Sequence, residues 1–197
     1  MKLRGQYTYF FTTIYKSLLM SILSPYIRYT EFHYLCLSMK TFAQIAAEIA
    51  PQITEMMPWD AEEYLKSHPD TLIVDIRETH EYDTMHIPDS INVPRGILEN
   101  ACEWDFEETE PELVTARERP VLLVCRSGNR TVLAAYTLQQ MGYENVISLK
   151  TGLRGWSDYE LQLVDIEEKP VDITDADHYF ANKVLPEQRN PATKDQK

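Results

Sequence analysis

The chain has 197 residues, 44% of them hydrophobic and 25% charged, with 6 Gly and 11 Pro. This fits one globular domain with modest extensions and excludes a large multidomain enzyme, a collagen-like repeat or a wholly disordered chain. Lys+Arg 19 against Asp+Glu 31 gives a net charge of −12, a field that repels phosphate backbones and anionic lipid, so neither nucleic acid nor a membrane is expected as a partner.

Three cysteines, Cys36, Cys102 and Cys125, form no CxxC pair and have no histidine at zinc-ligand spacing. A disulfide framework and a metal site are therefore disfavoured, no cofactor is expected, and a reducing, cytoplasmic setting is the simplest reading.

Residues 1–38 are rich in Tyr, Phe, Ser and Thr, and Lys2, Arg4, Lys16 and Arg28 outweigh Glu31 there, so the acidity lies in the rest of the chain. The charge-free stretch Ser17–Ile27 is too short to span a bilayer. Thr12, Thr13 and Lys16 interrupt the apolar stretch that a signal peptide needs. The segment is expected to be a poorly ordered or non-native extension, with Met39 as the working start. A domain is expected over 39–167 and a polar tail over 168–197, where Asp, Lys, Pro and Asn dominate.

Within the domain, Phe42, Ile45, Ala46, Ile49 and Ala50 recur at helical spacing before Pro51. A small helix follows over Asp60–Lys66, capped by Asp60. Thr71–Asp75 and Val121–Cys125 are continuous apolar runs of the kind that form strands buried on both faces, and Ile91–Val93 and Val146–Leu149 read as further strands. The acidic stretch Glu103–Glu112 reads as a solvated helix or loop. Thr131–Met141, ended by Gly142, and Gly152–Tyr159 read as helices. Strands alternating with helices predict an α/β fold with a central, mainly parallel sheet of about five strands, flanked by helices on both faces.

The residues that point to chemistry are Cys125-Arg126-Ser127-Gly128-Asn129-Arg130, between a buried strand and a helix starting near Thr131. Ligands of open α/β sheets bind at the carboxyl ends of the strands, which is where this loop belongs. A compact turn entering a helix can aim backbone N–H groups at one point, and these, with two flanking guanidinium groups, favour the thiolate of a cysteine placed there. In an acidic molecule the two arginines also make a local attraction for a small anion.

The chain resembles the rhodanese family of sulfurtransferases, whose active loop is a cysteine-led six-residue turn of the form C-R-x-G-x-[RT]. Leu72–Glu78 is similar to the family's strand ending in D-x-R-E, and Glu81–Pro94 to its E-[FY]-x-x-G-H-I-P-G-A-x-N-[IV]-P. Gly142–Val146 and Thr151–Trp156 are similar to its G-[FY]-x-x-V and G-G-x-x-x-W. The resemblance spans roughly residues 53–163. It implies that Cys125 takes a sulfane sulfur from a small anionic, thiosulfate-like donor, holds it as a persulfide and passes it to cyanide or a thiol, including a thiol on an acceptor protein. Arg126 and Arg130 would hold the donor's anionic end within the loop, and Asp75 and Arg77 would brace the pocket through ion pairs. Met85, Asp89 and Thr151 stand where the family has glycine, and Ser90 where it has alanine, so those turns are expected to differ in shape.

Two other functions fit the same residues less well. A module that carries or senses sulfur without turnover, docking a protein partner, would also use Cys125. A cysteine-dependent phosphatase or arsenate reductase is opposed by loop length: such phosphatases need C-x5-R, whereas Arg130 lies five positions after Cys125, giving C-x4-R.

Overall fold

A computed structural model describes residues 39–190. The expectations for residues 1–38, Cys36 included, and for the end of the tail from 191 lie outside the described residues. The elements run α1 (Phe42–Ile49), a 3-10 turn (Ala50–Gln52), β1 (Thr54–Met56), α2 (Pro58–Ser67), β2 (Leu72–Asp75), α3 (Thr79–Thr84) and β3 (Ile91–Asn92). The single helical turns α4 (Leu98–Ala101) and α5 (Pro111–Val114) come next. They are followed by β4 (Val121–Val124), α6 (Asn129–Gln140), β5 (Val146–Leu149), α7 (Gly152–Asp158), α8 (Ile173–Phe180) and a last 3-10 turn (Pro186–Gln188).

The five strands form one sheet in the order β1-β5-β4-β2-β3, with every pair parallel. The strands β2, β4 and β5 are buried at every position, which is why they read as unbroken apolar runs rather than alternating ones. Their side chains still alternate between faces. Leu72, Val74, Val121 and Leu123 enter one core layer with Leu98, Leu113, Val132 and Leu138. Ile73, Leu122, Val124, Ile147 and Leu149 enter the other with Ala61, Leu153, Trp156 and Phe180.

This order contains a switch point. The connection leaving β2 runs through Met85 and Ile87 on one face, whereas the connection leaving β4 runs through α6 on the other. The two strands are neighbours, so a crevice opens between their carboxyl ends, where open α/β sheets bind ligands. Asp75 ends β2, and Cys125 follows β4.

Three boundaries differ from the sequence expectation. The second helix begins at Pro58, with Met57 as its N-cap and Asp60 in the first turn; proline tolerates that position because its missing N–H has no intrahelical partner there. Helix α6 starts at Asn129 rather than Thr131, because Gly128 takes the cap with φ 87°.

The third difference concerns the segment from 168, expected as a polar tail, which returns to the domain. Val171 donates to Leu163 O at 2.9 Å, and α8 follows, capped by Asp172, with Ala176 and Phe180 buried. Its acidic composition conceals an apolar face at Ile173, Ala176 and Phe180, spaced for one side of a helix. Among the described residues no helix is long and apolar enough to cross a membrane.

Candidate functional site

Cys125 is wholly buried at the carboxyl end of β4, the central strand of the sheet. The chain then turns through Arg126 and Ser127 to Gly128, whose left-handed backbone lets its N–H point back at the Cys125 sulfur, 3.3 Å away. A side chain at Gly128 would press on Thr151 N and Leu149 O, so glycine is required for both conformation and space. Ser127 and Asn129 lie at the exposed surface of the turn.

A short polar relay supports the sulfur from below. The Cys125 thiol faces Thr131 Oγ1 at 3.9 Å. Thr131 donates to Gly128 O at 2.6 Å and shares a 2.8 Å bond with Ser148 Oγ. A hydroxyl has one proton; with Thr131's directed at Gly128 O, Ser148 is the donor in the second bond. Both hydroxyls are fully buried, and together they fix the turn that carries the Gly128 N–H.

The loop is closed on its other side by α7. Leu153 N donates to Cys125 O at 2.8 Å and Arg154 N to Arg126 O at 3.1 Å. This approach depends on Gly152, φ 59°, where a Cβ would run into the Cys125 carbonyl and the Arg126–Ser127 peptide. Thr151, in place of the family's first glycine, keeps a left-handed φ of 66°, and Asp89 does the same with φ 61°. These turns therefore retain the glycine-type backbone at a cost of about 1–3 kcal/mol each. Met85 is in extended backbone, φ −168°, where any residue fits, and its side chain is buried in the core.

Beside the loop, Asp75 and Arg77 form a buried pair. Arg77 Nε reaches both carboxylate oxygens at 3.0 and 2.9 Å, and Nη2 reaches Oδ2 and Met85 O, both at 2.6 Å. Asn92 bonds the carbonyls of Asp75 and Arg77 at 3.0 Å each, fixing the end of β2. Arg77 Nη1 is buried without a partner.

Expected to face a common anion, Arg126 and Arg130 are engaged with different elements. Arg130 is partly exposed and meets Glu81 at 3.6 Å. Arg126 turns to the end of α8, donating to Phe180 O at 3.1 Å and to Tyr179 O and Ala181 O at 3.4 Å, with its guanidinium 5.6 and 5.3 Å from the Tyr179 and Phe180 ring centres. Burial pushes the Tyr179 phenol up.

Sequence reasoning missed Thr131, Ser148 and the Tyr179–Ala181 segment. A lone serine in the apolar run VISL was the available signal for the relay; an apolar helical stripe in ITDADHYF was the signal for the segment.

His86 follows Met85, whose carbonyl accepts from Arg77. Its ring stacks on Tyr82 and bonds Tyr82 O at 2.9 Å, while its backbone pairs with Val164. Cys102 is at the opposite end of β4: Arg117, four residues ahead of that strand, bonds Cys102 O at 3.1 Å. Among the described residues no group of three or more His, Cys, Asp or Glu is placed to hold a metal ion.

Compared with known proteins, residues 60–159 match the Rhodanese-like domain. A protein of Allochromatium vinosum named as a sulfurtransferase is 32% identical over 95 residues, covering 48% of this chain and 79% of that protein. A Bacillus subtilis protein named as a sulfur carrier, YrkF, is 29% identical over 112 residues, covering 57% of this chain and 55% of that protein; the chain thus spans about half the length of that relative. A solved Rhodopseudomonas palustris protein of unknown function, described as a possible tyrosine phosphatase, superimposes with a TM-score of 0.56 at 28% identity over 63% of this chain and 94% of that one.

Proposed function

The chain belongs to the rhodanese-like family, and from that membership we propose that it transfers a sulfane sulfur through a persulfide on Cys125. The Cys125 thiolate attacks the outer sulfur of a thiosulfate-like donor. The new S–S bond forms as the donor's own S–S bond breaks, and its electron pair leaves with sulfite. A second nucleophile, cyanide or a thiol, then attacks the outer sulfur of the persulfide, and the electron pair of that bond restores the Cys125 thiolate. Both displacements balance without an outside oxidant, and one difficult transfer becomes two easier ones.

The observation that carries this reading is the Gly128 N–H aimed at the Cys125 sulfur across a loop of only four intervening residues before Arg130. A backbone donor pointed at sulfur stabilises the anionic thiolate and persulfide alike. The same shortness disfavours phosphoryl transfer, which needs a C-x5-R ring. In this role Arg130 meets the donor's oxyanion, and Asp75 and Arg77 keep the crevice wall rigid. The acceptors proposed are small thiols, cyanide or a thiol on an acceptor protein, in a reducing cytoplasmic setting.

A second reading, a sulfur carrier without turnover, draws on the complete burial of Cys125 and the name of the Bacillus subtilis relative. Steady-state thiocyanate production from thiosulfate and cyanide separates the two. The sulfurtransferase reading predicts turnover that falls to background in Cys125→Ser with the fold retained. A persulfide that forms on Cys125 without turnover would favour the carrier, and no sulfur on Cys125 would remove both.

A further inference from the structure

Helix α8 ends on the candidate loop. The last carbonyls of a helix have no intrahelical donor and carry the negative end of its dipole. At α8 three of them, from Tyr179, Phe180 and Ala181, converge on Arg126 Nη2 at 3.4, 3.1 and 3.4 Å. The Tyr179 and Phe180 rings stand nearly perpendicular to each other, at 88°, and both face the same guanidinium. Phe180 itself is only 4% exposed and packs in the core layer of Val124, Leu149 and Trp156, so this cage has a fixed anchor.

A cleft of about 520 Å³ lies beside the helix, lined by Thr84, Met85, Val171, Asp175, His178 and Tyr179, and Lys183 sits 5.6 Å from the Tyr179 ring.

We propose, on the basis of the sulfurtransferase reading above, that the Tyr179–Ala181 end of α8 sets donor selectivity by withholding Arg126 from the substrate. A donor that recruits Arg126 meets a guanidinium whose Nη2 already serves three carbonyl oxygens and which lies against two aromatic rings. Thiosulfate, a compact dianion, gains most from a second cation and is the donor most penalised. A persulfide donor carries no sulfonate on its sulfane sulfur and is served by the loop N–H alone. Tyr179 and Phe180 are positioning residues in this account, acting through Arg126.

The full-length chain and its Tyr179→Ala variant test this with thiosulfate and glutathione persulfide as alternative donors, and with phenylglyoxal labelling of Arg126 read by mass spectrometry. The variant should label faster at Arg126. Its KM for thiosulfate should fall about fourfold, the scale of one cation–π contact removed from Arg126 while the main-chain carbonyls stay in place. Its kcat, and its KM for glutathione persulfide, should stay within about twofold on the same scale. Ala176→Asp, which puts a charge on the buried face of α8, should reproduce this split by a second route.

Unchanged labelling, or a KM that moves equally for both donors, would overturn the proposal and leave α8 as packing alone. If Cys125 of the unmodified protein takes sulfur from neither donor while labelling still responds, the sulfurtransferase reading fails instead and donor selectivity falls with it.

Discussion

Strand β4 has a buried cysteine near each end, and the two environments differ in kind although both thiols are completely covered. Beyond its carboxyl end, Cys125 meets a backbone N–H aimed at sulfur from a left-handed glycine. Towards its amino end, Cys102 belongs to a static network: Arg117 bonds its carbonyl and Glu103, stacks at 5.3 Å over Tyr143, and Tyr143 donates to Leu113 O at 2.7 Å. Burial pushes the Cys102 thiol up, outweighing the lowering effect of Tyr143 and Arg117. The two thiols share one core layer, but Cys102 is held at the amino end of the strand by the Arg117 and Tyr143 network. Burial does not distinguish the two thiols; the backbone N–H aimed at the Cys125 sulfur does.

The contrast can be broken most severely at the Cys125 end. Arg77→Ala leaves the Asp75 carboxylate buried without its partner and is expected to cost about 3–5 kcal/mol, measured by urea unfolding. Loss of less than about 1 kcal/mol would mean the pair is solvated in solution, as surface pairs are.

Gly152→Ala is the next largest. The added methyl meets the Cys125 carbonyl in a backbone with φ 59°, so about 2 kcal/mol of stability and more than tenfold of sulfur-transfer rate should be lost together. A variant with normal activity would show that the docking of α7 does not set the loop.

At the structural end, Tyr143→Phe removes one buried hydrogen bond and should cost about 1 kcal/mol with sulfur transfer unchanged. Buried groups in both regions dictate a pH effect. Cys102, Tyr82, Tyr143 and Tyr179 are all raised by burial, so their contribution to stability is complete below the unfolded values, 9.0 for Cys102 and 10.0 for the tyrosines, and is lost as pH rises beyond them. Urea unfolding across pH 8 to 11 should show stability declining above about pH 9, less steeply in Tyr143→Phe. A flat profile would contradict the burial of these groups.

Much of the architecture was legible in the chain because its strands are short, continuous apolar runs: LIVD, VLLV and VISL need no partner to be recognised. The cysteine-led loop was legible for a different reason, since Gly128 at that spacing permits only a few backbone paths. Helix α8 was obscured because Asp172, Asp175 and Asp177 dominate its composition while only Ile173, Ala176 and Phe180 mark its apolar side. The Arg126 cage could not be read at all. Its acceptors are main-chain carbonyls more than fifty residues downstream, and carbonyls leave no trace in residue identity. The left-handed turns at Asp89 and Thr151 were hidden in the same way, because the backbone kept its glycine-type conformation after the glycine was gone.

The central claim concerns one sulfur atom, and peptide-level mass spectrometry after brief exposure to thiosulfate tests it most directly. The account predicts a gain of one sulfur on the peptide bearing Cys125, none on the peptide bearing Cys102, and loss of that gain on adding cyanide. An unmodified Cys125, or sulfur shared equally between the two cysteines, would contradict it.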